Sequence, residues 1–300
     1  MKQYIHPVLI ALTLALPALA QETKPVPADK MEHSSPSGEE GSGWMAMVGL
    51  MGSQRPSYRG SDENQTVVDP IVMFDYKGRV GFRESRIVQG AAGFYVRPLL
   101  TESWSLGILA MPQFEGREES SAKALKGMGN RDSNIYTGMD LSFRTRGFSA
   151  TLEVQKGTKS HSGTVAGLTL EHSVQFNKRF GLEAGLTGIW GDKDYQAWEF
   201  GITPDQARRR QALINAGNTD LKPADGLAYT PKAGLHEVRA RVMLSYQLSE
   251  RWMVFNEVSH GRLLGDAAKS PLTRSRNQTA VSLGCAYQFG AGEGHGHHAD

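Results

Sequence analysis

The sequence is poor in cysteine. A single one, Cys285, occurs in 300 residues, which excludes an internal disulfide and any cysteine-based zinc site. An excess of charge of one sign is missing too. Lys and Arg number 33 against 31 Asp and Glu, so the basic footprint of a nucleic-acid-binding protein is absent and no nucleic-acid partner is expected. Beyond residues 1–20 there is no unbroken apolar run of about 18 residues, which excludes a polytopic helical membrane protein. G-x-S-x-G, H-E-x-x-H and P-loop sequences are also lacking. His172, His236 and His260 fall on extended segments, and His260 adjoins Ser259. Neighbours on a strand point to opposite faces, so that pair forms no catalytic dyad. The chain is therefore expected to be no enzyme, with no catalytic residue and no cofactor.

Glycine, by contrast, is abundant, at 34 of 300 residues, above the usual ~7%. A glycine-rich chain of average polarity without helical spans fits one membrane class. A β-barrel alternates apolar and polar residues, so its average hydropathy conceals its lipid-facing side.

The ends of the chain read differently from its middle. Lys2, the apolar stretch Val8 to Leu16 and the small-x-small site Ala18-Leu19-Ala20 make residues 1–20 a signal peptide, with cleavage near Ala20. Residues 21–42 are rich in Pro, Ser, Glu and Lys and read as a disordered periplasmic leader. Residues 290–300 form a flexible His-rich tail. His295, His297 and His298, with His33, could hold a metal ion only weakly, and no metal role is assigned. Ordered structure is expected within 43–289.

That middle breaks into segments of period 2. Ile135, Thr137, Met139, Leu141 and Phe143 alternate with Asp140, Ser142 and Arg144. Val281, Leu283, Cys285, Tyr287 and Phe289 alternate with Ser282, Gly284, Ala286 and Gln288, which places Cys285 on the lipid side. Twelve strands follow: 43–53, 66–76, 79–85, 91–99, 103–115, 134–145, 147–157, 163–177, 180–191, 234–248, 251–263 and 277–289. Their connections alternate, long at 54–65, 86–90, 116–133, 158–162, 192–233 and 264–276, and tight between. The expectation is an all-β fold: a closed antiparallel transmembrane barrel of about twelve strands. Its loops would be long on the extracellular side and its turns short on the periplasmic side, in the outer membrane of a Gram-negative bacterium.

Parity directs Asp140, Glu153, Glu171, Glu183, Arg239 and Arg241 into the lumen, either as a salt-bridged closed interior or as the lining of a narrow polar pore. Ser282-x-Gly284-x-x-Tyr287-x-Phe289 has the form that outer-membrane barrels present to the barrel-assembly machinery, with Tyr287 and Phe289 in the periplasmic aromatic girdle, as suits Trp104 and Phe180. In 192–233, Thr203 at the N-cap, Pro204 at N1 and Gln206 at N3 start a short helix with a capping box. Its Arg208 to Arg210 read as a solvated face, or else as a grip on lipopolysaccharide phosphates.

Three segments resemble the MltA-interacting protein / OmpV family of outer-membrane barrels. Tyr58-Arg59-Gly60-Ser61-Asp62, followed by Asp69-Pro70-Ile71, is similar to its Y-x-G-S-D loop and proline-marked second strand. Phe200-Gly201-Ile202-Thr203 with Gln206-Ala207 is similar to its middle segment. Leu263-Leu264-Gly265-Asp266-Ala267-Ala268-Lys269-Ser270-Pro271-Leu272 is similar to its late signature. In physical terms the first is a tight loop. The last is one helical turn bracketed by Asp266 and Ser270 and ended by Pro271. The resemblance implies a scaffold that links a lytic transglycosylase to a murein synthase in peptidoglycan turnover, set in outer-membrane lipid and lipopolysaccharide. Alternatives are a narrow pore for small solutes and a surface adhesin acting through 116–133 and 192–233.

Overall fold

The structure is a computed structural model that describes residues 43–114 and 116–290. The signal peptide, the leader and the His-rich tail, with His33, His295, His297 and His298, lie outside the described residues.

Twelve antiparallel strands form a closed barrel in which each pairs with its neighbour in sequence and the last pairs with the first. They are β1 (Trp44–Pro56), β2 (Asn64–Tyr76), β3 (Val80–Glu84), β4 (Ala92–Leu100), β5 (Trp104–Pro112), β6 (Ile135–Thr145), β7 (Phe148–Gly157), β8 (Thr164–Gln175), β9 (Phe180–Gly191), β10 (Gly234–Gln247), β11 (Trp252–Leu263) and β12 (Asn277–Phe289). Two helices, α1 (Lys193–Phe200) and α2 (Pro204–Asn215), lie in the longest connection. Among the described residues no helix is long and apolar enough to cross a membrane. Strand ends depart from the sequence reading by at most three residues. The ladder between β1 and β2 runs on to Pro56 and Asn64, past the point where apolar alternation fades.

The period-2 pattern sorts side chains as it must on a pleated sheet. Leu50, Val72, Ile108, Met139, Leu186 and Leu283 stand exposed on the outside. An apolar surface of that extent belongs in lipid, not water. At the short-turn end it is bounded by Trp44, Tyr76, Trp104, Tyr246, Trp252 and Phe289, an aromatic girdle. The Trp252 and Tyr287 rings meet edge-on at 5.1 Å, and Tyr287 packs on Phe289 at 4.7 Å. Some inward glycines have no room for a side chain. A Cβ on Gly138 would strike the Val154 carbonyl, and one on Gly284 the ring of Phe255.

Two irregularities shape the interior. β3 has only five residues, and after Glu84 the chain leaves the wall and enters the lumen before rejoining it at Ala92. Ile87 and Val88, on that inward excursion, pack with Tyr95, Leu109, Met111, Tyr136, Val165, Ile189 and Tyr195 into one buried apolar cluster inside the barrel. The second is a register shift between Leu235 and Glu237. It breaks the alternation, so that His236 and Glu237, adjacent in sequence, are both buried.

Candidate functional site

The inward charges pair. Arg83 of β3 reaches Glu153 at 3.2 Å and Asp140 at 4.0 Å. Ser85 donates to the same Glu153, at 3.2 Å, and accepts from the Gln155 amide at 3.0 Å. Nearer the short-turn end, Arg241 holds Glu171 at 3.0 Å, Glu257 at 3.2 Å and Glu183. Arg86, on the inward excursion, reaches Glu171 from across the lumen at 3.6 Å. Arg239 pairs with Glu237, two residues back on its own strand, at 2.7 Å. The structure thus brings Asp140 and Glu153 together, and Glu171, Glu183 and Arg241 together, while Arg239 stands apart from both. Arg83 and Arg86, which complete the pairing, were not singled out from sequence. Arg83 carried the parity signal, because it shares a face with Gly81. Arg86 carried none, because it sits on an irregular segment.

Above this level the long connections fold onto one another as a cap. The three motif segments meet there. Tyr58 donates its hydroxyl to the Leu272 carbonyl at 2.7 Å. Gly60, at φ 102°, donates its N–H to the Gln278 side chain at 2.9 Å, and its carbonyl accepts from Arg274 at 2.7 Å and Ser275 at 3.0 Å. A Cβ there would press on Thr273. The Ser61 hydroxyl closes a local turn on Glu63, and Asp62 is exposed. Phe200 is buried against Leu263 and Ala267, and its carbonyl accepts from the Ser270 hydroxyl at 2.6 Å. Gly201 leaves no space for a Cβ beside the Ala197 carbonyl. Leu264 is half-buried, with its N–H on the His236 carbonyl at 2.9 Å. Pro271 follows the turn Ala267–Lys269. Pro70 alone lies away, on the outer face of β2.

Two details of the sequence reading are corrected. Asp266 does not cap the turn at 267–269 with its side chain. Its carboxylate instead accepts from the Lys232 N–H at 3.0 Å and pairs with Lys269 at 3.3 Å, which ties two connections together. Arg208 to Arg210 do not act alike: two keep the solvated face and the third leaves it. The capping box at Thr203 and Gln206 is present, but the helix it starts turns its third arginine inward. Arg210 is 0% exposed, pairs with Asp225 at 3.4 Å, and donates to the carbonyls of Ala124 and Lys126 at 2.9 Å each. Arg209 donates to the Gly127 carbonyl at 3.2 Å. Arg208, beside Asp205, and Arg209 stay at the surface. Backbone carbonyls in 116–133 supply the acceptors a phosphate would have offered.

Beneath the cap Arg59 is the hub. It donates to the Tyr195 hydroxyl at 3.1 Å and to His236 Nε2 at 3.3 Å, and pairs with Glu237 at 3.3 Å. Burial works against its charge, but Tyr195, Glu237 and Glu199 outweigh burial and hold the guanidinium protonated. Burial pushes the Tyr195 phenol up to about 12, with Arg59 opposing. Glu199 is held below the ordinary carboxylate range. Burial alone would raise it, and Arg131, Arg59 and Arg117 together prevail. Arg131 is 3.1 Å from Glu199 and stacks over Trp198 at 5.1 Å. A polar cavity of about 760 Å³ lies here, lined by Tyr58, Arg59, Arg117, Arg131, Tyr195 and Glu199 among others. No cluster of three or more metal-ligating side chains occurs among the described residues. The arrangement holds charge in fixed pairs and offers no nucleophile with a base beside it.

The family described as MltA-interacting protein MipA matches residues 48–289, from the first strand to the last. The chain belongs to the MipA family. As a MipA-family protein it is an outer-membrane β-barrel, and its apolar belt accords with that setting. Among named relatives, the outer membrane protein Omp26La of Vibrio anguillarum is 22% identical over 174 residues, spanning 57% of this chain and 61% of Omp26La. The match therefore covers less than two thirds of that relative. Among solved structures, the NanC porin is 10% identical over 80% of this chain and 98% of its own, with a TM-score of 0.41. The KdgM porin is 10% identical over 81% of this chain and 99% of its own, with a TM-score of 0.37.

Proposed function

We propose that this MipA-family barrel is a non-enzymatic scaffold, linking a lytic transglycosylase and a murein synthase at the inner face of the outer membrane. The observation that carries the reading is family membership joined to a filled lumen. A barrel whose bore is crossed by Ile87, Val88 and paired charges leaves its outer rims as the surfaces a protein partner can meet. With the short turns in the periplasm, the rim that a murein enzyme meets is basic. Lys77, Arg79, Arg146, Lys178, Arg179 and Arg251 are exposed there against Glu102 and Glu250. Opposite charge on the partner would steer and register the encounter. The exported leader 21–42 and the tail 290–300 would extend the docking surface on the same side, and maturation near Ala20 would free the leader.

The test is a cross-linked pull-down from native envelopes. Enrichment of a lytic transglycosylase over an unrelated barrel is expected. Lys178→Glu with Arg179→Glu should weaken that capture, as should deletion of 21–42 together with 290–300, while the barrel still resists unfolding in unheated gel samples. Capture of the barrel-assembly machinery and lipopolysaccharide alone overturns the scaffold. Undiminished capture by the charge-reversed variant overturns the basic rim as its contact.

A further inference from the structure

The barrel wall has a lateral gap. β2 pairs with β1 along all thirteen residues from Asn64 to Tyr76, but with β3 only at Phe74, Asp75 and Tyr76. Beyond Phe74, toward the long-loop end, β2 runs on as an edge. The chain that should have covered it is the excursion through Ile87 and Val88 that fills the lumen. Pro70 lies midway along this edge, and proline, lacking an N–H, is found in sheets essentially on edges.

A cavity of about 480 Å³ occupies the gap, within the ~300–1,000 Å³ range of small-ligand sites. Its lining decides its course. Pro70, Val72, Phe82 and Ala92 face outward on their strands, whereas Ser53, Arg239 and Ser259 face inward, and all of them line it. A cavity lined by both faces of a single-layer sheet passes through that sheet. Apart from Glu84 the mouth is apolar, with Phe114 at its lip, 67% exposed. The inner end is polar and already paired: Arg55 with Asp69 at 3.7 Å, Arg59 and Arg239 with Glu237. Polar atoms there are left over, Glu237 Oε2 among them, which meets Arg59 only as an ion pair at 3.3 Å. Arg59 is 8% exposed, and its Nη2 has no hydrogen-bond partner. A buried donor of that kind is costly to leave unmet.

We propose that this gap is a membrane-side entry to a binding site for an uncharged single-chain amphiphile of the monoacylglycerol type. Its chain would lie between Val72 and Phe82, and a head oxygen would accept from Arg59. A neutral hydroxylated head suits the inner end because Asp69 and Glu237 already meet Arg55, Arg59 and Arg239, Glu257 is held by Arg241, and Glu84 adds a carboxylate that would repel an anionic head. A molecule of that type dissolved in the bilayer would reach the mouth with no passage through water. This site is independent of any murein partner and needs only that the barrel sits in lipid.

The experiment uses the full-length mature protein in phosphatidylcholine nanodiscs with a monoacylglycerol carrying a photoreactive acyl chain, and maps adducts by mass spectrometry. Adducts are expected on the outer belt, as at Leu50 and Leu283, and on inner lining residues such as Ser53, Gln89 and Ser259. Val72→Trp and Ala92→Trp narrow the mouth from the lipid side without entering the core. They should lower inner labelling about tenfold and leave belt labelling unchanged. Arg59→Lys should lower inner labelling while the mouth stays open. Belt adducts without inner adducts overturn the proposal, as does inner labelling indifferent to both mouth variants. Stronger inner labelling by a photoreactive fatty acid overturns the assignment of a neutral head. Absence of belt adducts overturns the proposal together with the membrane setting on which it rests.

Discussion

At the scale of single residues, the cap depends on charges taken fully out of water. Arg210 and Asp225 are both 0% exposed, and Arg274 also pairs with Asp225. Removing one member of such a group leaves the other charge buried without compensation, which costs about 3–5 kcal/mol. Asp225→Asn keeps the shape and the acceptor for the Lys222 N–H but discards the charge. It should open the cap locally, seen as faster amide exchange and proteolysis in 119–127 and 204–226, while the strands stay protected. Protection equal to wild type would show that the backbone carbonyls of Ala124, Lys126 and Asp225 suffice to hold Arg210. This inward arginine was not legible in the sequence. An exposed and a buried arginine on a helix differ only in what the rest of the chain places beside them. Parity did direct Asp140, Glu153 and Arg241 inward, because strand geometry alone fixes a side chain's face. Their partners Arg83 and Arg86 depend on contacts between distant segments, which no local period encodes.

At the scale of elements, legibility follows the same division. The strands could be read to within a few residues because each repeats its pattern over many positions. α2 could be read from Thr203, Pro204 and Gln206, a signal complete within four residues. α1 was not read, since it has no apolar stripe. Asp192 caps it by accepting from the Tyr195 N–H at 2.7 Å, and Tyr195 and Phe200 anchor its two ends in separate clusters. Its other anchor is electrostatic and titrates. Glu199 lies below its ordinary value of 4.5 when folded, so its contribution is fully present above the unfolded value and is lost as pH falls through the folded one. Amide protection across 192–203 should therefore be flat from neutral pH to about pH 5 and decline below about pH 4. Glu199→Gln should remove that decline and lower protection at neutral pH by about 1.5–3 kcal/mol, the usual worth of hydrogen bonds to a charged group. An unchanged acid limb in the variant would assign the titration to another carboxylate.

At the scale of the whole molecule, one departure from regularity has two consequences. The barrel lacks wall where β3 stops short, and it lacks an open bore where the same chain turns inward. The sequence contains this only as a brief segment, 79–85, followed by a connection shorter than its extracellular neighbours. The pairing that reveals the gap is between residues far from the excursion. Because the plug is a single segment, pore and platform can be separated by one manipulation. Ile87 and Val88 hold it through apolar burial, and Arg86 holds it through Glu171. The intact protein should be silent in planar bilayers. Replacing 86–90 with a Gly-Ser link of equal length removes both anchors and should yield steady conductance. Arg241→Ala in that background should shift selectivity toward cations, because Glu171, Glu183 and Glu257 would then face the bore unpaired. Conductance from the intact barrel, at a level the Gly-Ser link does not raise, would mean that ions pass beside the plug, and the barrel would then have to be treated as a pore first and a scaffold second.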